Sequence, residues 1–121
     1  MSTERRSVLI IEDDLDVRTV LLAILGRTYD VAIADNGATA LSRFESGERF
    51  DVILCDVLMP RMDGPALIEH LIRIAPEQAR RVIVLTANVD SPEAARLADH
   101  HVVEKPFNVR HLRELIAQVS T

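Results

Sequence analysis

Short runs of consecutive apolar residues, separated by longer amphipathic stretches, set the strongest limit on how this chain can fold. Five such runs occur in order, at residues 8–11, 31–34, 52–55, 82–85 and 102–103. Most are apolar at every position, which is typical of strands buried on both faces. A repeated strand and helix order is typical of a parallel sheet covered by helices. The sequence therefore predicts an α/β fold with a doubly wound, five-stranded parallel sheet.

The stretches between the runs have the spacing of five amphipathic helices. In the first, the apolar residues that recur at helical spacing are Val17, Val20, Leu21, Ile24 and Leu25. Gly26 can end this helix. Further helices are predicted over 36–45, 64–73, 92 to about 99, and from about 108. Their expected inward-facing residues are Leu41, Phe44, Leu67, Ile68, Leu71, Ile72, Val109, Leu112, Leu115, Ile116 and Val119. Ser91 and Pro92 can start the fourth helix, which is predicted to be weak.

Composition limits the class of protein. The chain has 121 residues, of which 48% are hydrophobic and 27% charged, and this fits one globular domain. The core of the domain is expected over about residues 7–119. Residues 1–6, which include Arg5 and Arg6, are expected to form a polar, solvated tail. A net charge of −5 argues against a nucleic-acid surface. The lone Cys55 is expected to be a buried thiol in a reducing compartment. Without a signal peptide or an apolar span of ~20 residues, the protein is expected to be cytoplasmic, with no membrane partner.

Polar residues fall at the ends of the predicted strands. In open α/β sheets, ligands bind outside the carboxyl ends of the strands. The residues there are Glu12, Asp13 and Asp14 after the first strand, then Asp35, Asp56, Thr86 and Lys105 after the other four. Asp14 is expected to cap or flank the first helix. Because strand ends are often polar for solvation alone, their position does not by itself establish a site.

Glu12, Asp13 and Asp56 are expected to share one small pocket. Two like charges ~4 Å apart repel by about 4 kcal/mol at an effective dielectric of about 20, so such a cluster needs a cation or a proton. Carboxylates without nearby histidine or cysteine ligands suit Mg²⁺. With Lys105 and Thr86 opposite, the pocket is predicted to receive a phosphoryl group. The attacking group is then either water, as in a phosphatase, or Asp56 itself, which would form an aspartyl phosphate.

Four segments carry these residues: VLIIEDD at 8–14, DVILCDVLMPRMDG at 51–64, VIVLTA at 82–87 and EKPF at 104–107. Together, and in this order, they closely resemble the receiver domains of two-component response regulators. The resemblance extends over about residues 7–119. It implies a flavodoxin-like fold of five strands and five helices, with the strand order 2-1-3-4-5.

The resemblance also implies a role for each acid. Asp56 would accept a phosphoryl group from a phosphohistidine on a sensor histidine kinase or a histidine phosphotransfer protein. Asp13, Asp56 and the backbone carbonyl of Leu58 would ligate Mg²⁺, and Glu12 would act through a bound water. The protein would then be a signalling phosphoacceptor and not an enzyme, apart from assisting its own phosphorylation and dephosphorylation.

Other residues of the motifs would bind the phosphoryl group or shape the site. The groups expected to contact the phosphoryl oxygens are Thr86, Lys105 and the backbone amide of Ala87. Pro60 and Gly64 would shape the loop after Asp56, and the peptide bond between Lys105 and Pro106 would be cis, as proline permits. Signalling would proceed by a conformational change at the Thr86 and Lys105 face. The surface of helix 4, strand 5 and helix 5 is a possible homodimer or docking face.

The sequence departs from the family pattern at two points. Val102 stands where most receivers carry an aromatic residue, so no large ring can reorient after Thr86 moves. His101 could replace it only if it pointed inward, and strand alternation argues against that. The span from Thr86 to Lys105 is also shorter than usual, which makes a borrowed dimer arrangement unreliable. His100 and His101 are expected to lie in a solvated loop, because adjacent residues seldom bind one metal ion. Tyr29 and Phe107 are expected to pack in the core.

Two other functions compete with the receiver hypothesis. A Mg²⁺-dependent phosphohydrolase with an aspartyl nucleophile typically carries a second aspartate two residues after the first, where this chain has Leu58. A receiver-like module that signals by interaction alone would agree with Val102 and the short fourth helix. A flavin or nucleotide site is disfavoured because the acids after the first strand would repel phosphate. The chain is expected to be either a stand-alone receiver or a piece of a longer regulator or hybrid kinase.

Overall fold

The computed structural model of the protein describes residues 5–59, 61–97 and 99–120. The strands are β1 (Ser7–Ile11), β2 (Asp30–Ala34), β3 (Val52–Asp56), β4 (Val82–Thr86) and β5 (His101–Glu104). The helices are α1 (Leu15–Leu25), α2 (Gly37–Glu45), α3 (Gly64–Ile74), α4 (Pro76–Ala79), α5 (Pro92–Ala95) and α6 (Val109–Val119). The strands pair in parallel in the order β2-β1-β3-β4-β5. The predicted fold class and strand order are confirmed.

The apolar runs supply two cores, one on each face of the sheet. The first core contains, from β3, α2 and α3, Ile53, Cys55, Phe44 and Leu67. The second contains, from β3, α1 and α6, Val52, Leu54, Leu21 and Leu112. Successive side chains of a strand point to opposite faces, so a strand buried on both faces is apolar at every position. This explains why the runs do not alternate, and it holds the sheet rigidly between two helical layers.

The strand register brings the predicted site residues to one edge of the sheet. The pairs nearest that edge are Ile11 with Cys55, Asp56 with Leu85, and Thr86 with Glu104. Glu12 directly follows β1, Asp56 and Thr86 end β3 and β4, and Lys105 directly follows β5. The carboxyl edge therefore collects residues that are far apart along the chain.

Polar side chains fix where most of the helices begin. The residues that accept hydrogen bonds from the first backbone N–H groups of a helix are Asp14, Asn36, Asp63, Ser91 and Asn108. Such caps satisfy amides that have no partner within the helix. Asp14 thus caps α1, which is one of the two roles predicted for it.

The prediction of five helices is wrong, because the described residues form six. The additional helix is the single turn α4, which Pro76 starts directly after α3 ends. The helix predicted to run from Pro92 to about residue 99 stops at Ala95. Beyond it the backbone turns, and the N–H groups of Leu97 and His100 donate to the carbonyls of Ala94 and Leu97.

Three residues expected to face inward are partly exposed instead. Val20 is 50% exposed, Ile72 54% and Val109 38%. Val20 lies on the solvent-facing flank of α1, and Val109 is the first residue of α6, beyond the sheet. Ile72 lies in the last turn of α3. The apolar periodicity therefore predicted the correct inward face of each helix but assigned too many residues to it.

Arg5 and Arg6 are exposed to solvent, as predicted, but both guanidinium groups also bind backbone carbonyls of the domain. The Arg5 guanidinium donates to the carbonyls of Gly26, Thr28 and Tyr29 at 2.7 to 3.2 Å, and so binds the chain that leaves α1. The Arg6 guanidinium donates to the carbonyl of Ser120. The rest of the predicted tail, residues 1–4, lies outside the described residues. Among the helices that are described, none is long and apolar enough to cross a lipid bilayer.

Candidate functional site

Three carboxylates meet at the carboxyl edge of the sheet. Glu12, Asp13 and Asp56 each offer one oxygen, and these oxygens lie within 4.8 Å of one another. Glu12 is 1% exposed and Asp56 9%, whereas Asp13 is exposed. No other group of three or more potential metal ligands is found among residues 5–59, 61–97 and 99–120. The strand-end argument therefore located the acids correctly.

Lys105 joins this cluster from the far end of the chain. Its Nζ lies 2.9 Å from Glu12 Oε2 and 3.3 Å from Asp56 Oδ2, in two partly buried ion pairs. Three carboxylates and one ammonium leave a formal charge of two negative units. One divalent cation would balance that charge.

The acids and the amine change each other's proton affinity. Burial, helped by the nearby charge of Asp56, raises the pKa of Glu12 to about 7 despite the Lys105 ammonium. Burial works to lower the pKa of Lys105, but the hydrogen bond to Glu12 and the charge of Asp56 outweigh it and raise that pKa. Without an ion the cluster therefore holds a proton on Glu12 more strongly than a free glutamate would.

The donor set fits Mg²⁺. All of its ligand atoms are carboxylate oxygens, and the two negative charges that remain after the Lys105 ion pairs match one hard divalent ion. The thiol of Cys55 does not compete as a ligand. It is 1% exposed, and burial, followed by the charges of Asp56 and Glu12, raises its pKa. Cys55 is therefore the inert, buried thiol that the sequence predicted.

The backbone after β3 holds Asp56 in place. The N–H of Val57 donates to Asp56 Oδ1 at 2.8 Å. The chain then returns to the sheet, where the N–H of Gly64 donates to the carbonyl of Val57 at 2.8 Å. A Cβ at Gly64 would lie 2.7 Å from the carbonyl oxygen of Asp56, so this return admits only glycine without a backbone shift. Pro60, the other residue expected to shape this loop, lies outside the described residues.

A cavity of about 210 Å³ lies beside Asp56. The predicted site residues that line it are Asp56, Leu58, Thr86, Ala87 and Lys105. Within the described parts of the chain, the N–H of Ala87 and the carbonyl of Leu58 make no hydrogen bond. Both groups are free to bind a ligand. The cis peptide bond expected between Lys105 and Pro106 is present.

Thr86 is held by a residue that the sequence reasoning missed. Its Oγ1 donates to the carbonyl of Asn88 and accepts from the N–H of Asn88, both at 3.1 Å. Ser91, which caps α5, lines the same cavity. A threonine followed by a turn often bonds to the backbone two residues on, and that signal could have identified Asn88.

Val102, where the sequence departs from the family pattern, and its neighbour His101 lie on different sides of β5. Val102 is partly buried and packs against the core between the sheet, α2 and α3. His101 is exposed, so it does not replace the missing aromatic ring. The solvated loop predicted for the two histidines is only partly found, because His100 lies in the loop but is half-buried, and His101 is exposed but begins β5. Tyr29 and Phe107 pack against the other core, as predicted.

Comparisons with known proteins agree with this geometry. The family model described as response regulator receiver domain matches residues 8–117. The receiver protein CpdR of Brucella abortus is 35% identical over 94% of this chain and 93% of its own length. The transcriptional regulatory protein ZraR of Klebsiella oxytoca is 30% identical over 98% of this chain, which spans only 27% of that regulator.

A solved structure is similar over nearly the whole fold. It is the receiver domain of the sensor histidine kinase PA1611 from Pseudomonas aeruginosa PAO1, with a magnesium ion coordinated in its active site cleft. The two share 26% sequence identity and superpose with a TM-score of 0.83, over 97% of this chain and 99% of the other.

Proposed function

Because the chain belongs to the response regulator receiver domain family of two-component signalling, we propose that it is a phosphoacceptor whose Asp56 takes a phosphoryl group from a phosphohistidine. The observation that carries this proposal is the position of the Asp56 carboxylate. Its oxygens lie within 4.8 Å of those of Glu12 and Asp13, and Lys105 Nζ contacts it at 3.3 Å. The carboxylate also borders a cavity large enough for a phosphoryl group.

In the proposed transfer, a carboxylate oxygen of Asp56 forms a bond to phosphorus while the bond between phosphorus and the donor imidazole nitrogen breaks. The donor histidine keeps the electron pair and takes up a proton, and Asp56 becomes an acyl phosphate. The backbone bond from Val57 orients the carboxylate before reaction. Lys105 then turns its ammonium from the acids to a phosphoryl oxygen, where the free N–H of Ala87 also donates.

Mg²⁺ is the proposed cofactor, held by Asp13, Asp56 and the carbonyl of Leu58, with Glu12 acting through a water. When bound, it would neutralise the negative charge of the transferring phosphoryl group. The fit rests on the all-oxygen donor set and on its two uncompensated negative charges. The magnesium in the PA1611 receiver supports the same choice.

The signal is proposed to start at Thr86. In the unmodified protein its hydroxyl bonds to the backbone of Asn88 and, within the described residues, to no other group. A phosphoryl group on Asp56 would offer a charged acceptor in the same cavity, and a bond to a charged acceptor is stronger. Thr86 would then leave Asn88 and loosen the loop that leads to α5. A homodimer or a docked partner on the α5, β5 and α6 face would sense that change.

The test is acetyl phosphate with Mg²⁺, followed by intact mass spectrometry. We expect the mass of one added phosphoryl group, which hydroxylamine removes because the product is an acyl phosphate. Asp56→Asn should abolish the addition while circular dichroism shows an unchanged fold. Asp35→Asn, at the exposed end of β2, is the matched control and should be phosphorylated normally.

The same experiment distinguishes the two competing functions. An unmodified wild-type protein, under conditions that label a control receiver, would favour a module that signals by interaction alone, to which Val102 and the single-turn α5 lend some support. Continuous release of phosphate would favour a phosphohydrolase. The sequence opposes that function, because Leu58 stands two residues after Asp56, where such an enzyme typically carries the aspartate that acts as general acid.

A further inference from the structure

A second, larger cavity lies at the opposite edge of the sheet from Asp56. Its volume is about 440 Å³, and Val82 and His101, the first residues of β4 and β5, both line it. It therefore opens at the amino ends of the strands, ~13 Å from the carboxyl edge for a strand of this length. None of the residues proposed for phosphoryl transfer takes part in it.

The floor of this cavity is apolar. Ala79 of α4 and Val82 of β4 are 4% and 1% exposed, and they close its base. Ile72 of α3 forms one wall and is 54% exposed. Because Ala79 and Val82 are already buried, Ile72 and the exposed Pro76 supply the apolar surface that a ligand could cover. Covering such a surface with an apolar ligand removes it from water, which favours binding.

The rim of the cavity is basic. Arg80, His100 and His101 line it together with a single acid, Asp99. Within the described residues, the side chains of these three basic residues make no hydrogen bond or ion pair. Arg81, the next residue, is by contrast engaged by the carbonyls of Asp51 and Val119. An unpaired guanidinium beside an apolar floor is a site for a carboxylate, which it can bind through two parallel hydrogen bonds.

We propose that this cavity binds a small organic anion with one carboxylate and a flat apolar body. The carboxylate would pair with Arg80, and the body would lie against Ile72 and Pro76. A single negative charge fits best, because Arg80 is the one permanent cation of the rim and Asp99 repels further negative charge. The volume lies in the range of small-molecule sites, which combine an apolar lining with a few polar groups.

His100 reports on the occupancy of this site. Burial is the main cause that lowers its pKa, and the charge of Asp99 opposes the shift. His100 borders two cavities, the larger one and an adjoining one of about 140 Å³. The other charged or titratable residues that line the larger cavity are Arg80, Asp99 and His101. Those that line the adjoining cavity are Glu69, Arg96 and Asp99. A carboxylate bound to Arg80 would add a negative charge on this side and raise the pKa of His100.

The probe is 2-naphthoate, titrated into isotope-labelled protein and followed by NMR. We expect saturable shifts of the backbone amides of Ala79, Val82 and His101, together with a higher pKa of the His100 ring. The neutral analogue 2-naphthalenemethanol, which lacks the charge, and acetate, which lacks the apolar body, should each bind about tenfold more weakly.

Matched variants test which residues hold the probe. Arg80→Gln and Ile72→Gln should each weaken 2-naphthoate about tenfold. Arg27→Gln, the same loss of charge at an exposed position after α1, should leave the affinity unchanged. Asp56→Asn should also bind 2-naphthoate normally, so that failure of the phosphoacceptor proposal can be told apart from failure of this one. The spectrum of each free variant verifies its fold.

Each of four results would overturn the proposal. Three of them are the absence of saturable shifts with 2-naphthoate, equal binding of its neutral analogue, and an affinity of Arg80→Gln equal to that of Arg27→Gln. Shifts that saturate only at the carboxyl edge of the sheet would assign the probe to the phosphoryl site and would equally count against the cavity.

Discussion

Magnesium binding should release a proton and weaken in acid, because Glu12 has a raised pKa. With that pKa at about 7 in the ion-free protein, we expect Glu12 to be about half protonated near neutral pH. Metal binding needs the deprotonated carboxylate, so the affinity rises with pH. From the pKa alone, the apparent Kd should fall about tenfold from pH 6 to pH 8, with about half a proton released per ion at pH 7.

Isothermal titration calorimetry at pH 6, 7 and 8 measures both quantities. Two buffers with different ionisation enthalpies at each pH give the number of protons released. Glu12→Gln should bind Mg²⁺ more weakly at pH 8 and lose most of the pH dependence. Glu45→Gln, an exposed position on α2, makes the same chemical change away from the site and should behave as wild type. A Kd that stays constant from pH 6 to 8, or an equal slope in Glu12→Gln, would refute the reasoning.

Three further predictions concern the parts of the fold that support the site. The Gln78 side chain accepts from the N–H of Phe50 at 2.8 Å and donates to its carbonyl at 3.1 Å. Gln78→Ala, which leaves both groups buried without partners, should lower the free energy of unfolding in urea by about 2–4 kcal/mol, and Glu77→Ala, which removes only an exposed ion pair, by at most about 1 kcal/mol. Similar losses would contradict this account. Gly64→Ala should destabilise the protein by about 1–3 kcal/mol in the same assay and slow its labelling by acetyl phosphate, because the new Cβ meets the backbone at 2.7 Å. Cys55, buried and with a raised pKa, should not react with Ellman's reagent until the protein is unfolded, and rapid reaction of the native protein would show that the β3 core opens.

The sequence predicted the sheet well because strand burial leaves a direct mark on composition. The runs ending before Glu12 and at Cys55 are apolar at every position, and a residue buried on either face of a central strand has little alternative. The positions of the acids could be predicted from the same pattern, because a polar residue directly after a buried apolar run lies at the carboxyl edge of the sheet. Their convergence then depended only on parallel pairing.

The helices and loops were predicted less well because their burial depends on neighbours distant in sequence. Ile72 has the spacing of an inward residue, but it is 54% exposed, because the spacing within α3 does not say which segments of the fold pack against that helix. Arg5 lies in a polar segment that is typical of a tail, yet its guanidinium donates to the backbone carbonyls that follow α1. The periodicity of one helix shows neither which distant segments pack against that helix nor which distant carbonyls a side chain binds.

The double ion pair of Lys105 has a consequence for the protein as it leaves the ribosome. Glu12 and Lys105 are separated by 93 positions, and the fifth strand positions the lysine beside the acids. A nascent chain that has emerged only through β4 already carries all three acids, but it lacks the ammonium that holds them together. If Asp56 is the phosphoacceptor that we propose, competence to accept a phosphoryl group should therefore appear only after β5 and Lys105 have emerged and folded onto the sheet.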